Sequence, residues 1–211
     1  MTLGFKNHLR KLKNDDITIG FVPTMGALHD GHTSLIKKSV LENDFSVVSI
    51  FINPTQFNNI DDYESYPSDV SKDIKLLESI SKNIILFSPD TEEIYSGGVI
   101  SDSYDFGGLD KYMEGEHRKG HFQGVATVVH KLLELVTPDN VYFGEKDFQQ
   151  LRIIEDLVQK MEYKLNVIRC KTVRQNDGLA LSSRNKKLDI ISNIATNLFK
   201  ALVLQKRILR L

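Results

Sequence analysis

Cysteine is almost absent from this sequence, which has one, Cys170, among 211 residues. A single cysteine excludes a disulfide within the chain and is typical of a reducing compartment. Because Cys170 follows Val167 and Ile168 in an apolar run, we interpret it as a buried strand residue rather than a nucleophile.

A surplus of basic charge and a long apolar segment are also missing. The chain has 27 Lys and Arg against 28 Asp and Glu, a net charge of −1, so composition does not indicate a protein that binds nucleic acid or anionic membranes. No apolar run reaches membrane-spanning length, and the opening MTLGFKNHLRKLKND is too charged for a signal peptide. We therefore expect a cytoplasmic protein with no membrane and no nucleic-acid partner.

The remaining composition is that of a globular protein, with 41% hydrophobic and 26% charged residues. A chain of this length can form one large domain, or one domain with a small appendage.

The most informative stretch is ITIGFVPTMGALHDGHTSLI, residues 17–36. Its β-branched and aromatic beginning, residues 17–22, predicts a buried strand, and a helix is predicted to begin near Gly31 after a loop that contains Gly26. A strand, a glycine-containing loop and a helix N-terminus together form an arrangement that receives phosphate. We therefore predict that an ATP-type polyphosphate binds here.

Two histidines at the end of this loop strengthen the prediction. His29 and His32 are three residues apart, so they share one helical face and can donate to the same anion. Two alternatives stay open at this point. The loop can be a plain tight turn, since it has neither GxGxxG nor a GK[ST] lysine. The HxxH pair can also bind a metal, although Asp30 and Asp44 are poorly placed as a third ligand.

Strand and helix signals alternate five times along the chain. Right-handed crossovers make such an alternation an α/β fold with a doubly wound, parallel, Rossmann-like sheet. The predicted strands are 17–22, 45–52, 83–87, 141–143 and 165–169. The predicted helices span about 31–43, 70–80 and 122–136, with a solvated basic helix before them at 5–13 and one or two helices at the end within 189–211. A further helix is predicted to begin at residue 144. Its inward residues are predicted to be Phe148, Leu151, Ile154, Leu157 and Val158.

Three polar clusters, residues 23–32, 53–56 and 144–150, directly follow predicted strands. Ligands of doubly wound sheets bind beyond the carboxyl ends of the strands, so these clusters should converge on one cleft. The long segment 89–118 is predicted to be a functional loop. Near its end, Arg118 and His121 are candidates to bring charge to substrate carboxylates, with a solvated loop as the alternative.

Five stretches together resemble the pantoate–β-alanine ligase (pantothenate synthetase) family: PTMGALHDGHTSLI, FINPTQF, HFQGV with VVHKLLELVTPD, VYFGEKDFQQL, and TVRQNDGLALSSRN. They extend from about residue 20 to 190 in the family's order. The resemblance implies a member of the nucleotidyltransferase superfamily with HIGH-type and KMSKS-type signatures. It also implies a two-step reaction, in which ATP adenylates the carboxylate of pantoate and β-alanine then attacks the pantoyl adenylate to give pantothenate and AMP.

The resemblance assigns roles to individual residues. His32 corresponds to a proton donor, Lys146 to a phosphate contact, and residues 182–184 to the loop that holds pyrophosphate. The predicted catalytic residues are His29, His32, Lys146, Ser182, Ser183 and Arg184. The predicted ATP-binding residues are Met25, Gly26, Ala27, Leu28, His29, Asp30, Gly31, His32, Gly144, Glu145, Lys146, Asp147, Val173, Leu181, Ser182, Ser183 and Arg184, with backbone N–H groups available from Gly26 and Gly31. Without the resemblance, we would interpret Lys146 as a solvated helix residue and residues 182–185 as a polar turn.

The resemblance also assigns the pantoate site to two amides, Gln56 and Gln150. An amide can bond both a hydroxyl and a carboxylate without neutralising the attacking carboxylate. Gln56 is also a candidate contact for β-alanine, and Asn53 is a weaker neighbour. Gln149 should point elsewhere on its helix.

Two features depart from the family pattern. Lys72 and Asp73 stand where members often have two acidic residues, so we predict no protein metal ligand and expect Mg²⁺ to arrive on the ATP phosphates. The sequence ends at Leu211, so residues 1–171 are predicted to form the nucleotide- and pantoate-binding domain, and residues 172–211 the KMSKS-type loop and the start of a small, incomplete C-terminal lid domain. The resemblance further suggests a homodimer.

Two other functions compete with the ligase. One is a catalytically impaired nucleotide-binding domain, which the shortened C-terminus makes plausible. The other is a superfamily enzyme with a different substrate, such as an aminoacyl-tRNA synthetase fragment or a cytidylyltransferase, and the near-neutral charge disfavours the tRNA enzyme.

Overall fold

A five-stranded parallel sheet forms the centre of the computed structural model, which describes residues 2–13, 16–187 and 192–208. The strands lie in the order β3-β2-β1-β4-β5, and every neighbouring pair is parallel. Their bounds are β1 (Ile19–Thr24), β2 (Phe45–Ile50), β3 (Ile84–Phe87), β4 (Asn140–Gly144) and β5 (Asn166–Cys170). This order confirms the predicted doubly wound α/β fold.

Helices cover both faces of the sheet. On one face, α2 and α4 pack through Ile36 and Leu77 against Val22 and Val48, and on the other face α7 and α8 build the larger core. The helices are α1 (Thr2–Lys13), α2 (Asp30–Glu42), α3 (Ile60–Glu64), α4 (Val70–Ile80), α5 (Thr91–Ile94), α6 (Glu114–His117), α7 (His121–Val136), α8 (Phe148–Lys160) and α9 (Ser192–Ile208). Short 3₁₀ turns occupy Pro54–Gln56, Glu145–Asp147 and Ser183–Lys187.

Strand β1 alternates between the two cores because successive side chains of a strand point to opposite faces. Ile19 and Phe21 belong to the larger core and Val22 to the smaller one. The strand extends through Pro23, beyond the predicted end. Proline is tolerated there because β1 pairs with β4 only at Gly20 and Phe21, so Pro23 lies where β2 is the one neighbour. Because β1 and β4 do not pair beyond Phe21, a cleft opens between the carboxyl ends of these two strands.

Two helix predictions are wrong in detail. Helix α1 is more than a solvated segment, because Leu9 is buried and the ring of Phe5 stacks on Phe87 at 4.1 Å. Phe148, which the periodicity predicts to face inward, is 52% exposed. Phe148 is the first residue of α8, directly after the 3₁₀ turn at Glu145–Asp147. The other residues predicted to face inward, Leu151, Ile154, Leu157 and Val158, are buried as predicted.

The last part of the chain follows β5. Arg174 and Ala180 form an isolated antiparallel bridge, and the Arg174 guanidinium lies 4.5 Å from the centre of the Phe199 ring of α9. Helix α9 confirms a helix within the predicted range, while residues 188–191 and 209–211 lie outside the described residues. The division at residue 171 stays a prediction.

None of the helices in the described ranges is long and apolar enough to cross a membrane. Cys170 is buried at the end of β5, as predicted.

Candidate active site

A cavity of about 260 Å³ lies at the carboxyl ends of β1 and β4, where the strand order reverses. The three polar clusters that follow β1, β2 and β4 all contribute to it, so the predicted convergence is confirmed. The predicted site residues that line it are Met25, His29, Gly31, His32, Gln56, Gly144, Lys146, Asp147, Gln150, Val173, Leu181, Ser182, Ser183 and Arg184. The other predicted residues, Gly26, Ala27, Leu28, Asp30 and Glu145, lie beside the cavity rather than on its wall.

The two histidines cap helix α2. His29 Nδ1 accepts a hydrogen bond from Gly31 N at 3.1 Å, and His32 Nδ1 accepts one from His29 N at 3.3 Å. A neutral imidazole that accepts at Nδ1 carries its hydrogen on Nε2. The backbone thus fixes both rings as Nε2–H donors, and their centroids lie 4.1 Å apart.

The His32 ring is neutral near pH 7. Burial, the neighbouring His29 and the positive charge of Lys146 lower the pKa of His32 to about 3. A neutral ring can donate a hydrogen bond to a phosphate oxygen but does not release a proton readily. The site therefore presents His32 as a hydrogen-bond donor.

The loop between β1 and α2 is held by a buried carboxylate that sequence reasoning did not assign. Asp73 Oδ2 accepts from Ala27 N and Asp73 Oδ1 from Leu28 N, both at 2.8 Å. Ala27 has a positive φ of 49°, so these bonds hold the loop in a conformation that L-residues seldom adopt. A sequence signal was present, because Asp73 lies four residues before Leu77, and these two are the buried residues of α4.

The expectation of available N–H groups at Gly26 and Gly31 is wrong. Gly26 N donates to Thr24 Oγ1 at 3.1 Å, and Gly31 N donates to His29 Nδ1. The loop satisfies its own backbone donors because they are buried or partly buried. Gly26 N and Gly31 N are therefore not available to an anion, and the side chains of His29, His32, Lys146 and Arg184 provide donors in this cavity.

Two cations at the rim are paired with neighbouring carboxylates. Lys146 Nζ lies 2.8 Å from Asp147 Oδ1, and Arg184 Nη2 lies 2.8 Å from Asp62 Oδ2 of helix α3. The guanidinium of Arg184 also lies 5.3 Å from the centre of the Tyr66 ring. Both ion pairs are partly exposed to solvent, so a polyanion can compete for these cations at small cost.

The segment of residues 182–184 docks on the histidine loop. Ser183 is buried, and its Oγ donates to Ala27 O at 3.2 Å. Ser182 Oγ accepts from Arg184 N at 3.3 Å. Both hydroxyls thus help to hold this segment, and Arg184 is its charged group. The role of the two serines in holding pyrophosphate stays a prediction.

The opposite wall of the cavity is neutral and built from amides. Asn53 and Gln56 are 1% and 9% exposed, and Asn53 Nδ2 donates to Gln56 Oε1 at 3.1 Å. Gln150 lines the same cavity. Gln149 points away, as predicted, since its amide bonds Leu109 O, Tyr112 O and Glu114 N.

His121 and Arg118 hold the backbone of this amide wall. His121 Nδ1 lies 2.7 Å from Gln56 O and its Nε2 3.1 Å from Arg118 Nη1, while Arg118 Nη2 donates to Gln56 O at 3.2 Å. Burial, with a contribution from Arg118, lowers the pKa of His121. The suggestion that His121 brings charge to a substrate is therefore wrong, and Arg118 is itself paired with Glu114 at 2.7 Å.

Within the described residues, no group of three or more His, Cys, Asp or Glu side chains could hold a metal ion. Both Asp73 oxygens already accept backbone N–H groups, and Asp44 accepts from Thr18 N and Oγ1. The donor set does not fit a metal held by protein side chains alone.

Comparison with known proteins identifies close relatives of this arrangement. A family model described as pantoate-beta-alanine ligase matches residues 3–208. The pantothenate synthetase of Flavobacterium psychrophilum is 51% identical over 183 residues, which cover 87% of this chain and 65% of the relative. That of Bacteroides thetaiotaomicron is 48% identical over 198 residues, 92% of this chain and 70% of the relative. The chain thus spans just under two thirds of the length of the first of these relatives.

Solved structures agree with this assignment of relatives. The crystal structure of the pantoate-beta-alanine ligase from Francisella tularensis, complexed with beta-gamma ATP and beta-alanine, has a TM-score of 0.85 at 44% identity. It matches over 92% of this chain and 76% of its own. The pantothenate synthetase from Thermus thermophilus has a TM-score of 0.84 at 43% identity, over 92% of this chain and 71% of its own.

Proposed function

The chain belongs to the pantoate-beta-alanine ligase family, and from that premise we propose that it joins pantoate to β-alanine at the expense of ATP. In the first step a carboxylate oxygen of pantoate attacks the α-phosphorus of ATP, and the bond to pyrophosphate breaks. In the second step the amine of β-alanine attacks the carbonyl of pantoyl adenylate, and AMP leaves. The products are pantothenate, AMP and pyrophosphate.

One observation carries this proposal, the meeting of three distant chain segments around one cavity. The histidines after β1, Lys146 after β4 and Arg184 after β5 all line it. Phosphoryl transfer needs little covalent help from a protein and depends on alignment and on donors aimed at developing negative charge. Two fixed Nε2–H donors and two cations within one cavity meet that need.

His32 acts in this reaction as a neutral hydrogen-bond donor to the phosphates. Its low pKa supports this role over that of a proton donor, since the ring holds no extra proton to give near pH 7. Lys146 and Arg184 leave Asp147 and Asp62 for phosphate oxygens, whose charge grows as pyrophosphate departs. The exchange replaces one ion pair with another, so neither cation is buried without a partner.

Pantoate binds on the amide wall. Because Gln56 Oε1 already accepts from Asn53, the N–H groups of the Gln56 amide are the part that donates to a substrate oxygen. Gln150 provides the second amide. Neither residue carries charge, so the pantoate carboxylate keeps its nucleophilic strength. β-Alanine approaches the same wall.

Mg²⁺ carried by ATP would neutralise part of the charge of the phosphates. The side chains of the described residues do not form a cage for it, which supports this route over a protein-held ion. Family membership also supports a cytoplasmic enzyme that works as a homodimer with no nucleic-acid partner, and light scattering on the purified chain tests the dimer.

Exchange of labelled pyrophosphate into ATP tests the first step directly. The full 211-residue chain should catalyse exchange only when pantoate is present, and addition of β-alanine should yield pantothenate and AMP in equal amounts. Nucleotide binding without pantoate-dependent exchange would instead favour a catalytically impaired nucleotide-binding domain. Exchange that requires a different acid would change the proposed substrate.

A further inference from the structure

Tyr95 lies behind the amide wall and does not line the cavity. It follows helix α5, is 4% exposed, and its hydroxyl donates to Asn53 Oδ1 at 2.6 Å. The Thr55 hydroxyl reaches the same oxygen at 3.1 Å and lies 3.0 Å from the Tyr95 hydroxyl. Two hydroxyl groups thus converge on the carbonyl end of the Asn53 amide.

These contacts determine which way the Asn53 amide points. Its Nδ2 lies 3.1 Å from Gly124 O, a carbonyl that can only accept, and 3.1 Å from Gln56 Oε1. If the amide rotated by half a turn, Oδ1 would face two acceptors and Nδ2 would face the two hydroxyls. Gly124 O therefore sets the observed orientation. The Tyr95 hydroxyl, which stays protonated because burial raises its pKa, donates to Oδ1 and holds that end of the amide in place.

The orientation of Asn53 in turn determines that of Gln56. Because Asn53 Nδ2 donates to Gln56 Oε1, the Gln56 amide turns its nitrogen outward, where Nε2 lies 3.2 Å from Met25 Sδ. A thioether is a weak acceptor, so that nitrogen retains most of its capacity to donate to a substrate oxygen. The chain of bonds runs from Tyr95 through Asn53 to the face of Gln56 that meets the cavity.

We propose that Tyr95 is a positioning residue, whose hydroxyl acts through Asn53 to present the Gln56 N–H groups to the oxygen-rich acid substrate. The relay reaches the nucleotide side of the cavity through the weak contact of Gln56 Nε2 with Met25 Sδ. The inference rests on the proposed function for the identity of the acid, pantoate, but the relay itself is a property of the described residues.

Replacement of Tyr95 by phenylalanine isolates the hydroxyl. The ring keeps its neighbours, Phe51 at 6.4 Å between centroids and Lys131 Nζ at 5.6 Å from the ring centre. Tyr163→Phe is the matched control, because Tyr163 is partly buried and its hydroxyl bonds His130 Nδ1 at 2.8 Å, away from the cavity. Both variants lose one hydroxyl from a packed ring.

Initial rates of pyrophosphate exchange by the full chain give the first test. Tyr95→Phe should raise KM for pantoate about five- to tenfold and leave KM for ATP within about twofold, the size of effect expected for one lost hydrogen bond. Tyr163→Phe should change neither value. In a Gln56→Ala background, Tyr95→Phe should add less than about a twofold change, because the residue through which it acts is gone.

The proposal is overturned if Tyr95→Phe leaves KM for pantoate unchanged, raises both KM values equally, or acts at full strength in the Gln56→Ala background. A second measurement needs no activity: side-chain amide NMR signals of Asn53 and Gln56 should shift in Tyr95→Phe and stay in place in Tyr163→Phe. Unmoved signals would also overturn the relay. Shifted signals in a chain that performs no pantoate-dependent exchange would support the relay and refute the proposed function.

Discussion

The two walls of the cavity differ in charge and in exposure to solvent. The nucleotide wall carries partly exposed cations, Lys146 and Arg184, each held by a carboxylate that can be exchanged. The amide wall has no charge at its centre, and Asn53 and Gln56 are buried and tied to the backbone of α7 through Gly124 O and to each other. During the proposed reaction negative charge grows on the phosphates of ATP. The cations of the nucleotide wall can therefore change partners, whereas the amide wall stays fixed.

The largest effect should come from His32, which lines the cavity. His32→Ala removes an Nε2–H donor from the phosphates, and we expect pyrophosphate exchange to fall about 10²- to 10³-fold, as for the loss of one preorganised donor at a developing charge. Steady-state exchange rates measure this loss. The control is His8→Ala, at an exposed position of helix α1, which should retain full activity. Normal exchange in a folded His32→Ala protein would refute the assigned role.

Gly124 tests how rigid the amide wall is. A Cβ there would lie 2.3 Å from Thr55 O and 2.8 Å from Gln56 N. These are backbone atoms, so the clash can be relieved only if the chain itself shifts. Gly124→Ala should lower the free energy of unfolding by about 1–3 kcal/mol, the usual cost of overpacking, and raise KM for pantoate more than KM for ATP. Urea unfolding and exchange kinetics measure the two effects. Gly97→Ala, with nothing within 4 Å of its added Cβ, is the control, and equal stability of the two variants would contradict a close-packed wall.

The pH dependence of stability tests the burial of His32. Its folded pKa of about 3 lies below the ordinary value of 6.5, so the unfolded chain binds the proton first as the pH falls. The contribution of the neutral ring is complete above pH 6.5 and is lost progressively toward pH 3, by at most about 2 kcal/mol between pH 7 and pH 5. Urea unfolding of the wild type and of His32→Asn should therefore differ in slope against pH over this window. Parallel curves would mean that the ring titrates normally.

The smallest effect is expected at the exchangeable ion pairs. Asp62→Asn frees Arg184 from its partner, and since exposed pairs contribute little, KM for ATP should fall only about two- to threefold. Initial exchange rates at varied ATP concentration measure it. Asp61→Asn, an exposed residue of the same helix, should leave KM for ATP unchanged. A rise in KM for ATP in Asp62→Asn would show that the pair helps to bind nucleotide rather than competing with it.

Much of this site could be predicted from sequence because it depends on strand order. Parallel strands end at one edge of a sheet, so the segments after β1, β2 and β4 had to meet. Local patterns sufficed to find His29, whereas Lys146 and Gln56 were assigned through the resemblance to the family. What escaped prediction depends on single contacts between distant segments. Asp73 reaches the backbone of Ala27 and Leu28 across 46 and 45 positions, and Tyr95 reaches Asn53 across 42 positions. No periodicity records such contacts.

The errors have similar physical causes. The N–H groups of Gly26 and Gly31 are not available to phosphate, because they already donate hydrogen bonds to the side chains of Thr24 and His29. A glycine loop that receives an anion cannot be distinguished by sequence from one that satisfies its own donors. Phe148 is misplaced by periodicity because a 3₁₀ turn precedes it and α8 begins only at this residue, while the later inward positions of the helix are buried as predicted.

The central claim is that His29, His32, Lys146 and Arg184 surround one triphosphate, and a crystal structure of this chain with a non-hydrolysable ATP analogue and pantoate tests it most directly. We expect both Nε2 atoms and both cationic groups within hydrogen-bonding distance of the same phosphate chain, with the pantoate carboxylate facing the α-phosphorus from the side of Gln56. A nucleotide bound elsewhere, or phosphates that contact neither histidine, would contradict the account.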